Sequence, residues 1–210
     1  MPYKPDLFPQ IIQSISTVIE DNAEQVTALD QAIGDGDHVT NLQRGLQALV
    51  EQGDEISQLN WPDAFRKIGM TVMSTVGGAS GSLYGTLLIA LSKAIDQNNF
   101  ADAFAQGVEA VQQRGKAGRG EKTMLDVLIP VSDYLQQATA QGVNMPELLD
   151  GVKQVAINGM ESTRDMTATK GRASYLGGRS KGHIDAGAKT SQLMICAIAD
   201  IFDNQSAPPA

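Results

Sequence analysis

Apolar residues recur along this chain at three- and four-residue steps almost from end to end, and that period restricts the fold more than any other feature. Phe8, Ile11, Ile12, Ile15, Ile19, Ala23, Val26 and Leu29 share one face, because residues at those steps stack on one side of a 3.6-residue turn. The spacing predicts one long helix ending near Asp30. Further stripes follow at Leu42, Leu46 and Leu49; at Phe65, Ile68, Val72 and Val76; and at Leu83, Leu87, Leu91 and Ile95. Phe100, Phe104, Val108 and Val111 form a fifth, and Met124, Leu128, Val131 and Leu135 a sixth. Leu148, Val152, Val155 and Gly159 form a seventh, with Pro146 suited to its first turn. Leu193, Ala197 and Ile201 mark an eighth. No stretch alternates apolar and polar residues as a half-buried strand does, so the expected class is all-α.

Eight helices in 210 residues leave mostly short connections, and short connections make successive helices antiparallel neighbours. The expected architecture is an up-and-down bundle or closed barrel forming one domain over residues 1–210. The longest gap, residues 167–189, reads "TATKGRASYLGGRSKGHIDAGAK". A connection of that length in a compact domain is usually functional or disordered, and its glycines would let it fold over a ligand as a lid. Residues 204–210, "NQSAPPA", read as a frayed tail.

The formal net charge of −8 argues against nucleic acid or an anionic membrane as a general partner. No apolar run reaches the length of a membrane span, and the opening "MPYKPDLFPQ" lacks the apolar core of a signal peptide. The single cysteine, Cys196, lies in the apolar run "LMICAIADIF" and is expected in the core. One cysteine makes no internal disulfide, which fits a cytoplasmic setting.

Against this background residues 30–41, "DQAIGDGDHVTN", stand out. Asp30, Asp35 and Asp37 are spaced by five and two residues, so they cannot share one face of a regular helix. They must come from a helix end and a turn, where Gly34 and Gly36 supply backbone freedom. Three carboxylates aimed at one point repel one another unless a cation joins them. An all-oxygen ligand set selects Mg²⁺ or Ca²⁺ before zinc. An EF-hand is excluded, since the fifth position of a loop starting at Asp35 is Val39 and no glutamate closes it. The plain alternative is a solvated acidic turn capping the next helix.

Mg²⁺ usually shares its coordination with substrate phosphates, so a phosphate site is expected nearby. "STVGGASGSLYGT", residues 74–86, offers Gly78, Ala79 and Ser80 at the start of a helix, where free N–H groups favour anions. Ser80 or Ser82 could cap that helix. The stretch is not a Walker A loop, because no Lys-Ser/Thr follows the glycines and no strand precedes them. The lid region is basic: Lys170, Arg172, Arg179, Lys181 and Lys189 stand against Asp185 alone. Acidic turn, glycine-rich helix start and basic lid together suit a metal-bound nucleotide, with His38 beside the metal turn.

These stretches resemble the L-subunit (DhaL) family of bacterial dihydroxyacetone kinases. The resemblance is carried by "LDQAIGDGDH", "GMTVMSTVGGASGSLYGT", "RGKAGRGEKTMLDVLIP" and "KGRASYLGGRSKGHIDAGA", in family order and over almost the whole chain. It implies a closed barrel of eight antiparallel helices with ADP or ATP at one end, its phosphates clamped by two Mg²⁺ ions on Asp30, Asp35 and Asp37. It implies nucleotide contacts from His38, Val39, Thr40, Asn41, Gly78, Ala79, Ser80 and Gly115, with Met124 on the adenine side. Arg172, Asp185, Ala186 and Gly187 would join from the lid, Arg172 and the three aspartates serving catalysis. Val39 and Ala186 stand where family members often carry glycine and proline.

The resemblance also implies partners. A DhaK-type subunit would hold dihydroxyacetone covalently on a histidine, and a DhaM-type protein fed from phosphoenolpyruvate would rephosphorylate ADP in place. Homodimerisation stays open, and neither nucleic acid nor membrane is expected. Rival readings are an L subunit using exchangeable ATP for dihydroxyacetone or a related sugar ketone, the nucleotide domain of a fatty-acid kinase, and a nucleotide-sensing co-regulator.

Overall fold

A computed structural model describes residues 5–206, with no side-chain description at residue 206. Ten α-helices run through it: α1 (Phe8–Asp21), α2 (Ala23–Ile33), α3 (His38–Glu51), α4 (Gly53–Ser57), α5 (Trp61–Thr75), α6 (Gly78–Ala94), α7 (Phe100–Gly115), α8 (Leu125–Gln141), α9 (Met145–Ser162) and α10 (Ala186–Ser206). Short 3-10 segments cover Pro5–Leu7, Thr163–Asp165 and Arg172–Ser180, and no strand occurs among the described residues.

The expected eight helices are present, with two differences. The first is broken at Asn22, whose side chain donates to the Val18 carbonyl at 2.8 Å. An asparagine amide competing with the backbone in this way favours interruption of a helix. The apolar stripe continues across the break, so periodicity alone does not reveal it. The second difference is α4, a five-residue helix too short to leave a periodic signal. The expected tail overlaps the end of α10 at residues 204–206, and its remainder lies outside the described residues.

Starts and stops follow from side-chain chemistry. Asn60, Asn99 and Asn144 each accept the amide three residues on, from Asp63, Asp102 and Glu147, at 2.9–3.1 Å. Each satisfies one orphan donor of a first turn, typically worth about 1 kcal/mol. Pro62 and Pro146 sit in first turns, where no amide is needed. Lys116 and Gly142, both left-handed, end α7 and α8.

The long helices close into a ring. From α5 through α10 each packs on its successor, α10 packs on α1, α1 on α3, and α3 on α5. The α5–α6 contact is backbone-close: a Cβ on Gly85 would stand 3.0 Å from the Gly69 carbonyl. Ile19, Val26, Ile56 and Val111 are fully buried in the main core, and Val127, Val131 and Ala156 anchor a second cluster. Burial of each large aliphatic side chain contributes about 1.5–3 kcal/mol. A third, small cluster joins Ile33 of α2 to Ala168 and Ala173, with Leu176 against it. It seats the 167–189 segment on the end of the ring that carries the acidic turn. No described helix is long and apolar enough to cross a membrane.

Candidate functional site

Asp30 leaves the last turn of α2, Asp35 sits in the connection, and Asp37 directly precedes α3. Ligand oxygens of the three lie within 4.8 Å of one another. Gly36 has φ +80°, and a Cβ on Gly34 would run into the Asp30 carboxylate, so both glycines are needed to fold this turn. Asp37 makes no side-chain cap bond to α3; instead Asp30 Oδ2 accepts the His38 amide at 3.2 Å. The convergence therefore goes beyond what a helix cap requires.

His38 is held from both sides. Nε2 is 2.9 Å from Thr190 Oγ1, and Nδ1 is 3.1 Å from Ser80 Oγ. Thr190 Oγ1 donates to the Ala186 carbonyl at 3.1 Å. It therefore accepts from Nε2–H, leaving Nδ1 to accept from Ser80. Burial lowers the His38 pKa, against the opposing pull of Asp30, Asp37 and Asp35, so the neutral ring is favoured. Tyr84 extends the network, sharing a 2.7 Å hydrogen bond with Ser191 Oγ. Burial pushes its phenol up to about 12.

Gly77 caps α6 with no side-chain hydrogen bond to the first turn. Ser80 and Ser82 thus do not cap it: Ser80 faces His38, and Ser82 Oγ accepts from Arg114 Nε at 3.0 Å. The cap position is taken by a glycine, and the leading amides are left for an anion. A Cβ on Gly77 would come within 2.6 Å of Asn41 Oδ1, so a side chain there would displace the Asn41 amide.

These groups line a cavity of about 460 Å³, within the range of small-molecule sites. Asp30, Asp35, Asp37, His38 and Asn41 form one wall, and Gly78, Ala79 and Ser80 another. Gly115, Met124, Leu83 and Val111 also line it, as do Arg172, Asp185, Ala186 and Gly187. Fourteen of the sixteen expected site residues line this one space. Val39 and Thr40 do not: Val39 is buried in the main core and Thr40 faces solvent. Both are on α3, where successive residues point about 100° apart, so neighbours of His38 in sequence turn away from it.

Arg172 Nη2 reaches Asp35 Oδ2 at 2.8 Å, bringing the lid onto the acidic turn. Asp185 accepts the Ala188 amide at 2.8 Å in the first turn of α10. Burial pushes its carboxyl up to about 6, opposed by that hydrogen bond and by Lys122. Thr190 and Tyr84 carry no signal in the sequence. Thr190 lies 152 residues from His38, and no local pattern announces such a pairing.

A family model described as the DAK2 domain matches residues 32–200. The chain belongs to the DAK2 domain family. It is similar to the ADP-binding subunit DhaL of PEP-dependent dihydroxyacetone kinase 1 from Listeria innocua, 40% identical over 203 residues that cover 94% of this chain and 97% of that protein. The ADP-binding subunit DhaL of the PEP-dependent kinase of Escherichia coli K12 is 38% identical over 188 residues, covering 87% of this chain and 90% of the relative. Among solved structures, the dihydroxyacetone kinase of C. freundii in complex with AMP-PNP and Mg²⁺ superposes with a TM-score of 0.73 at 25% identity. The match covers 95% of this chain and 34% of that one, so this DAK2 chain corresponds to about a third of that larger protein.

Proposed function

We propose that this chain is the nucleotide-binding L subunit of a dihydroxyacetone kinase. The observation that carries the reading is one cavity in which three convergent carboxylates face an uncapped helix start and a basic lid. The residues fit both groups. Asp30, Asp35 and Asp37 offer hard oxygen ligands for two Mg²⁺ ions. The leading amides of α6 and the Arg172 guanidinium offer donors for phosphate oxygens. Met124, Leu83 and Val111 offer an apolar wall for a base. Bound divalent cations would supply positive charge against the diphosphate and the phosphoryl being transferred.

The chain's own groups orient and shield. Thr190 and Ser80 fix the neutral His38 ring beside the phosphate region, where it adds no charge to compete with the cations. The lid closes over the mouth through Arg172 and its apolar seat on Ile33, excluding water that would otherwise accept the phosphoryl. The acceptor is dihydroxyacetone held on a DhaK-type subunit, and ADP stays bound, rephosphorylated by a DhaM-type donor. The 38–40% identity to PEP-dependent subunits supports that donor over free ATP. The setting is the cytoplasm, where both partners and phosphoenolpyruvate are available.

Asp35→Ala tests the assignment. Metal analysis and nucleotide quantification after purification should find two Mg²⁺ and one ADP per wild-type chain, and little of either in the variant. A variant retaining its full complement of nucleotide contradicts the metal assignment.

A further inference from the structure

Lys122 is the largest of the fully buried side chains among the described residues. Lysine is almost never fully buried without partners, and the site chemistry above makes no use of it. Its Nζ donates to the carbonyls of Thr163 and His183. Thr163 follows the end of α9, and His183 comes three residues before α10. One ammonium therefore joins the segments that enter and leave the lid. Two more bonds close the same neck: the Asp185 amide to Thr163 Oγ1 at 3.0 Å and the Gly182 amide to the Arg164 carbonyl at 2.8 Å.

The preceding residue holds the lid at its span. Glu121 Oε1 accepts from Thr169 Oγ1 at 2.9 Å and pairs with Lys170 Nζ at 3.7 Å, while the Glu121 carbonyl accepts the Thr169 amide at 3.4 Å. This turn is itself braced by Asp126, which accepts the amides of Gly120 and Thr123. Lys122 adopts φ +62°, a left-handed conformation disfavoured for a side-chain-bearing residue. Such strain persists where the surroundings dictate it. Burial lowers the Lys122 pKa, and the Asp185 carboxylate opposes that shift.

We propose that Lys122 is a positioning residue for the nucleotide site, which with Glu121 clasps the 167–189 lid at its neck and span and so fixes Arg172 and Asp185 against the cavity. The proposal rests on the nucleotide-binding reading above. Arg172 lies two residues beyond Lys170, and Asp185 two beyond His183, so slack at either grip point reaches a cavity-lining residue. Without the ammonium, the buried Thr163 carbonyl and the part-buried His183 carbonyl lose this donor, which favours local opening of the lid.

Lys122→Met keeps the stem and removes the donors. Tryptic cleavage of the nucleotide-free protein after Lys170, Arg172, Arg179 and Lys181, followed by mass spectrometry, should run roughly tenfold faster than in wild type, since cleavage tracks the open population. Cleavage after Arg66 on α5, remote from the lid, should change far less, which separates a clasp from general loss of stability. Release of Mg-ADP, followed by displacement with a fluorescent analogue, should also be roughly tenfold faster, and Lys122→Arg should restore most of both. Should Lys122→Met fail to fold, Glu121→Ala loses a more exposed grip and should shift the same two readouts. Unchanged lid cleavage overturns the clasp, and faster cleavage with unchanged release overturns the positioning role. A wild-type chain that binds no nucleotide defeats the functional reading and the positioning role with it; the clasp is read separately, because cleavage is followed without ligand.

Discussion

Arg172 and Asp35 meet at 2.8 Å across the rim of the cavity, the lid's guanidinium closing on a carboxylate of the acidic turn. Both side chains reach solvent, and exposed pairs of this kind contribute about 0–1 kcal/mol. A divalent cation at Asp35 would therefore displace Arg172 at little cost, and the freed fork would match phosphate oxygens in the same cavity.

Arg172→Lys keeps the charge and loses the fork. The transfer rate, measured with the partner subunits, should fall on the order of tenfold or more. ADP affinity, measured by calorimetry, should fall less, because preorganised donors act most strongly where charge develops in the transition state. Equal losses in rate and affinity would instead assign Arg172 to ground-state binding.

Ligand removal should lower stability by mass action. A ligand binding only the folded chain at one hundred times its Kd stabilises it by about 2.7 kcal/mol. For a domain of this size that corresponds to roughly 5–10 °C in Tm. EDTA should lower the melting temperature by about that amount, and Mg-ADP should restore it. A melting curve that stays put once metal removal is verified argues against the cation site.

Asp185 gives the pH dependence a definite sign. Its folded pKa is raised from 3.8 to about 6. Between those values the folded protein keeps a proton that the unfolded chain has released. This group's contribution therefore falls as pH rises from about 4 to about 6, then levels off, by at most about 3 kcal/mol. Asp185→Asn keeps an oxygen to accept the Ala188 amide and removes the charge. Urea denaturation should find the variant more stable than wild type near pH 7.5, with the difference vanishing near pH 4, while nucleotide binding weakens. A stability difference independent of pH would contradict this.

What the sequence revealed divides along the range of the interactions. The helical stripes and the acidic turn are local patterns. Phe8 to Ile19 share a face, and Asp35 and Asp37 straddle a glycine, so both were legible. The buried role of Lys122 was not, because its partners lie 41 and 61 residues away and a lysine in a basic, glycine-rich turn reads as a solvated surface residue. Ser80 was misread as a cap because serine favours that position; its hydroxyl is instead taken by His38, which arrives from α3. Val39 and Thr40 enter through the resemblance, as part of the run from His38 to Asn41, whereas helix geometry turns their side chains to the core and to solvent.

The most direct test of the subunit reading is reconstitution, with dihydroxyacetone phosphate as the measured product. This chain alone with ATP should give no product, and turnover should appear once a DhaK-type subunit is added together with a DhaM-type relay fed by phosphoenolpyruvate, at substoichiometric nucleotide. A strict need for excess ATP would contradict retained ADP, and turnover by the isolated chain would contradict the subunit assignment itself.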